Sequence, residues 1–186
     1  MSLNGSLAKL KDDTVLEIDT ILFCTGYHYK FPFFKEDMNL VSVDTAQYVS
    51  PLFKHLIHTK YPSLSIIGIP KIIVPFPLFD CQIQFVRSVL SGQTQLPSEP
   101  EMYADAKQDF EQRLAAGYPP RYAHYLLHKQ WPYNDYLADM GHFKRIPRVV
   151  MLLFNDLWEA RLQDLFGYKS KEYRIIDDER YETLGD

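Results

Sequence analysis

Residues 17–33, EIDTILFCTGYHYKFPF, decide how the rest of the chain reads. Ile21, Leu22, Phe23 and Cys24 are apolar without alternation. Residues 18–24 are therefore expected to form a strand buried on both faces, as in a parallel sheet. The run stops at Thr25-Gly26, and rings follow at Tyr27, Tyr29, Phe31 and Phe33. In open α/β sheets, ligands sit beyond the carboxyl ends of strands. Gly26 has no Cβ, so its backbone can approach a flat ligand or adopt φ > 0. Thr25 offers a hydroxyl and an N–H, and Tyr27 offers a ring to cover an edge. A tight strand exit that needs only glycine is the plainer reading of the same residues.

Further along, LSIIGI at residues 64–69 reads as a second buried strand. Pro70, Pro75 and Pro77 then exclude regular structure before about Leu78. Phe79, Ile83, Val86 and Leu90 recur at helical spacing, and Gly92 supplies a stop. Asp80 is placed to cap this helix. The same geometry would aim free N–H groups at a ligand beyond the helix start, with Gln82 as a further hydrogen-bonding group. Phe76 and Phe79 are either core or neighbours of such a ligand. Ser98 and Glu101 fit a capping box opening a helix through Met102, Ala106, Phe110 and Leu114 to Gly117. Helices are expected over 121–130, 132–140 and 148–166, and a strand over 171–176. The organisation expected is 12–97 as one unit, 98–176 as a helical cap and 177–186 as a loose tail.

The bulk numbers narrow the function classes. Charged residues make up 24% and apolar ones 46%, an ordinary balance for a globular protein. The net charge of −4 with no long basic run argues against a nucleic-acid partner. No apolar stretch is long enough to span a bilayer, and MSLNGSLAKLK lacks the apolar core of a signal peptide. A cytoplasmic location is the expectation. Cys24 and Cys81 read as reduced, buried small hydrophobes. His124 and His128 stand four apart on the expected helix, a spacing that permits metal, but no third ligand accompanies them and none is assigned. No residue is marked by spacing as a general base or nucleophile, so no catalytic residue is assigned.

The stretch DTILFCTGY, continued by HYKFPF, resembles the strand and turn of flavin-containing monooxygenases. Three later stretches resemble the same family in the same order: YVSPLFKHLIHTKYPSLSIIGIP, PFPLFDCQIQFVRSVLSG and WPYNDYLADMG. The resemblance implies an α/β fold: the C-terminal part of a Rossmann-like FAD/NAD(P)-binding domain with a helical C-terminal extension. It implies FAD and NADPH as cofactors, and O2-dependent oxygenation of a soft amine or sulfide substrate. It points to Thr25, Gly26, Tyr27, Phe76, Asp80 and Gln82 as cofactor-binding residues. One departure matters. The glycines are isolated, and G-x-G-x-x-G, which lets a backbone grip pyrophosphate, does not occur. A partial chain, inactive alone, is therefore expected, with a homo-oligomer left open. Two other classes remain: a non-catalytic interaction module on the same scaffold, and another flavoprotein oxidoreductase of the same architecture, such as a disulfide reductase.

Overall fold

The computed structural model describes residues 2–35, 38, 40–43 and 47–184. The chain opens with an antiparallel meander of β1 (Ser2–Asn4), β2 (Leu7–Lys9) and β3 (Val15–Glu17). Ser2 stands opposite Lys9, and Leu7 opposite Glu17. Asp12-Asp13 makes the second turn: Asp13 has φ 65°, and the Asp12 carboxylate accepts the Thr14 N–H at 3.2 Å. Two small antiparallel pairs follow, β4 (Ser42–Val43) with β5 (Val49–Ser50), and β6 (Leu52–Phe53) with β7 (Ile57–His58).

Helices come next: α1 (Pro75–Leu90), α2 (Glu99–Ala115), α3 (Gln130–Gly141) and α4 (Arg148–Gln163). A hairpin of β8 (Glu172–Ile175) and β9 (Tyr181–Leu184) ends the described chain. The core lies between α1 and α3. Leu78, Cys81 and Phe85 of α1 meet Tyr133 and Leu137 of α3, with Leu56, Ile57 and Leu126 closing the cluster. Burying each such leucine or phenylalanine stabilises the fold by roughly 1.5–3 kcal/mol. Gly141 permits the close approach: a Cβ there would lie 3.2 Å from Phe85 and 2.6 Å from Phe143. A second cluster, Val49, Leu52 and Ile69, is covered by Tyr29, Phe31 and Ile66.

Several expectations are corrected. Residues 18–24 are not a strand. Pairing stops at Glu17, and Leu22 and Phe23 are 83% and 78% exposed. A strand buried on both faces needs neighbours on both edges. The Ile18 N–H donates to the Ser6 carbonyl at 2.8 Å, but among the described residues no strand pairs with residues 19–24. Cys24 is accordingly exposed, not buried; Cys81 is buried, and burial raises its thiol pKa to about 11. Residues 64–69 give only a bridge from Ser65 to Ile57, cut short by the turn at Gly68. The named strands pair only in antiparallel fashion in four small sheets, so no parallel sheet is present among the described residues.

Helix α1 starts earlier than expected, at Pro75, because a first turn has no use for the N–H groups that proline lacks. Its N-cap is Val74, so Asp80 is not the cap; it lies further along, exposed, accepting from Gln84 Nε2 at 2.7 Å. The buried face runs through Leu78, Cys81, Gln82, Phe85 and Ser88, and Ile83 and Leu90 face outward. Residues 121–130 are not one helix. Short 3-10 turns form at Pro120–Tyr122 and Leu127–Lys129. Between them the backbone pairs with Lys71 and Ile72: the Lys71 N–H donates to the His124 carbonyl, and the Leu126 N–H to the Lys71 carbonyl. Those bonds use groups that a helix would need. His124 and His128 therefore share no helical face, and no metal-holding cluster occurs among the described residues. The C-terminal segment is not a loose tail up to Leu184, since β9 pairs with β8. No helix among the described residues is long and apolar enough to cross a membrane.

Candidate functional site

Thr25, Gly26 and Tyr27 lie together at one wall of a cavity of about 550 Å³. Gly26 has φ +75°, a left-handed backbone that a side chain would strain, and nothing lies within 4 Å of where its Cβ would be. Torsion, not crowding, is what requires glycine here. Tyr27 is 91% exposed, so its ring stands free at the rim. Tyr122 and Tyr125 face the turn from the far side, stacked at 4.4 Å between centroids.

The electrostatics of this cavity are one-sided. Lys71 and Arg121 line it, and among the described residues no carboxylate does. Lys71 Nζ donates to Gln47 Oε1 at 2.8 Å and sits 4.5 Å from the Tyr29 ring centre. Desolvation lowers its pKa. The Arg121 guanidinium lies 5.0 Å from the Tyr122 ring centre. Tyr29 donates its hydroxyl to the Ile69 carbonyl at 2.6 Å, and burial pushes its pKa up to about 12. Flat rings with cations held against them suit a planar ligand that carries negative charge.

Phe76, Asp80 and Gln82 are not among the residues lining this cavity. Phe76 is 84% exposed on the first turn of α1, and Asp80 is on the surface. Gln82 is fully buried and its amide is spent inside the fold. Its Oε1 accepts the Gly68 N–H at 3.0 Å, and its Nε2 donates to the Tyr133 hydroxyl at 2.8 Å. Tyr133 in turn donates to the Lys54 carbonyl at 2.9 Å, and burial raises its pKa. This chain ties the turn at Gly68 to α1, α3 and the β6–β7 turn.

Behind the cavity lies a buried histidine pair that sequence spacing does not reveal. His124 Nε2 accepts the Val49 N–H at 2.8 Å, which places its proton on Nδ1. That proton points to His55 Nδ1 at 3.0 Å. His55 then carries its own proton on Nε2, 3.5 Å from the Asp109 carboxylate. Arg113 closes the series with Nε at 2.7 Å from Asp109 Oδ2. Desolvation, with Arg113 and Lys54 nearby, lowers the pKa of His55 to about 3. Desolvation, His55 and Arg113 lower that of His124 to about 2. Both rings are neutral at physiological pH. Lys71, Arg121, Tyr122 and Tyr125 also escape a sequence reading. Their only local signal is the tyrosine pair three apart after Pro119-Pro120.

Known proteins share this fold. A solved structure of S-allyl-L-cysteine S-oxygenase from Allium sativum superposes with TM-score 0.78 at 35% identity, covering 90% of this chain and 38% of that one. A crystal structure of Tmm from Pelagibacter sp. strain HTCC7211 shares the fold, at TM-score 0.70 and 24% identity. The fold is thus that of a mixed helix-and-strand flavoprotein. The flavin-binding monooxygenase-like family model matches residues 3–183, and the chain belongs to that family. Among its relatives, flavin-containing monooxygenase FMO GS-OX-like 2 of Arabidopsis thaliana is 43% identical over 132 residues, 70% of this chain and 28% of the relative. FMO GS-OX-like 7 of the same plant is 38% identical over 169 residues, 89% of this chain and 36% of the relative. The chain spans about a third of the length of these relatives.

Proposed function

We propose that this chain supplies one wall of the flavin site of an FAD-dependent, NADPH-using monooxygenase that oxygenates soft sulfur or nitrogen nucleophiles. The observation that carries the proposal is the cavity at Thr25-Gly26-Tyr27, aromatic and basic, with no carboxylate among its described lining residues. A bound flavin, once reduced, supplies the activation of dioxygen. The residues of this chain bind and orient. Gly26 turns the backbone so that the Thr25 and Tyr27 groups reach the cavity. Tyr27, Tyr122 and Tyr125 present ring faces and edges, and Lys71 and Arg121 favour negative charge on whatever lies between them.

Phe76, Asp80 and Gln82 stand apart from the cavity, so the proposal rests on the turn and the cavity it lines. Residues 18–24, which form no strand here, are read as a segment that gains its neighbours in the whole flavoprotein. Without a glycine-rich phosphate grip, the chain alone does not turn over. The likeness to an S-oxygenase favours sulfur over nitrogen in the substrate.

A chimaera tests this: the chain replaces the matching portion of the Allium S-oxygenase. It is expected to retain flavin and to form sulfoxide with NADPH, and Gly26→Val in the chimaera is expected to lose flavin. A folded chimaera that holds no flavin overturns the proposal. The exposed Leu22 and Phe23 favour a second reading, an interaction module that pairs this edge with a partner chain. A stable, flavin-free complex of defined mass on size exclusion is its distinguishing result.

A further inference from the structure

We propose that a second cavity, between α2 and α3, is a binding site for a small, largely apolar molecule carrying one carboxylate. The cavity measures about 260 Å³ and shares no lining residue with the one at the Thr25 turn. Its walls come from parts of this chain far apart in sequence: the β5–β6 region, α2, the turn at Leu126 and α3. Tyr48, Leu52, Leu126, Pro132, Tyr133 and Tyr136 make it chiefly apolar.

The charged groups around it decide the ligand class. Lys54 is matched to Asp105 at 2.6 Å, with its ammonium 4.5 Å from the Tyr136 ring centre. Arg113 is matched to Asp109 through two bonds, at 2.7 and 3.2 Å. His55 lines the cavity as a neutral donor already aimed at Asp109. The remaining ionised group is Lys129 at the rim, whose ammonium has no carboxylate partner among the described residues. Two closed pairs leave the cavity with a single uncompensated positive charge beside apolar walls. A monocarboxylate with an apolar body matches that balance, whereas an amine would meet Lys129 with no unpaired acid to hold it. The pocket also connects indirectly to the cavity at the Thr25 turn. His124 lies edge-on to Tyr29 of the Thr25 cavity at 6.1 Å between centroids and to His55 at 5.1 Å.

Isothermal titration of the full chain with 3-phenylpropionate and with its neutral counterpart 3-phenyl-1-propanol tests the site. The acid is expected to bind saturably, about fivefold more tightly than the alcohol, the scale of one exposed charge contact. Lys129→Gln should bring the acid down to the level of the alcohol and leave the alcohol unchanged. Ala106→Phe, which fills the cavity from an existing helix wall, should abolish binding of both while the melting temperature holds. Absence of binding, equal affinity for acid and alcohol, or binding that survives Ala106→Phe in a folded variant overturns the proposal.

Discussion

At the residue scale, the fold depends on polar side chains spent in the interior. Gln82 satisfies Gly68 and Tyr133 at once. Gln82→Ala leaves the Gly68 N–H without its acceptor, removes one of the two bonds at the Tyr133 hydroxyl and leaves a void, so unfolding in urea should show a loss of about 2–4 kcal/mol. A loss below roughly 0.5 kcal/mol, the scale of a surface change, would show that the amide is not structural. The two histidines make stability depend on pH. Their folded pKa values, about 3 and 2, lie below the ordinary 6.5. The unfolded chain therefore binds more protons in that interval. The contribution is complete above about pH 6.5 and falls with acidification, at up to about 1.4 kcal/mol per pH unit for each neutral imidazole. Melting temperatures from pH 7 to 4 check this, and His55→Gln should flatten the slope. Thr25-Gly26 was legible as a turn with a positive torsion because only glycine suits that backbone. The histidine pair was not, since 69 residues separate its members and neither has a local signature.

At the element scale, local chemistry predicts helices better than strands. The capping box at Ser98 and Glu101 and the stops at Gly92 and Gly117 act within a few residues. α2 shows this: the Ser98 N–H donates to Glu101 Oε2 at 2.8 Å, and the Ser98 hydroxyl, which alanine would remove, donates to the same oxygen at 2.7 Å. Ser98→Ala should lower stability by about 1 kcal/mol, measured by chemical unfolding with helicity followed by circular dichroism. No change would mean that α2 is held by packing on β6 alone. Strands depend on partners, and that is why LFC at 22–24 reads as buried and is found bare. The same logic explains α1, whose first turn absorbs Pro75 and Pro77, and residues 121–130, whose backbone is claimed by Lys71 and Ile72. A tail with no obvious apolar pattern nonetheless pairs, because Arg180 and Asp177 close its turn at 2.6 Å.

At the scale of the whole molecule, the chain has a firm centre and an unpartnered edge. α1 and α3 enclose the main core, whereas β1–β3 and the segment at residues 18–24 leave large apolar side chains in solvent. Leu22→Ser with Phe23→Ser should change unfolding free energy by less than about 0.5 kcal/mol, as for exposed positions. Light scattering should show reduced self-association at the same time. A large stability loss instead would mean that these side chains are packed in solution. The family was legible because four motifs, spread in order between residues 19 and 141, resemble it. The site was only partly so: the turn supplies one wall of the cavity, and distant Lys71, Arg121, Tyr122 and Tyr125 supply the rest.

A flavin is the ligand proposed for this aromatic and basic cavity, and titration of FAD with the chain, followed by flavin fluorescence, reads its binding. Saturable quenching is predicted, weakened at least about fivefold by Tyr27→Ala combined with Tyr122→Ala, since each lost ring contact removes roughly 1 kcal/mol. Quenching that is absent, or that persists unchanged in the folded double variant, would contradict the claim.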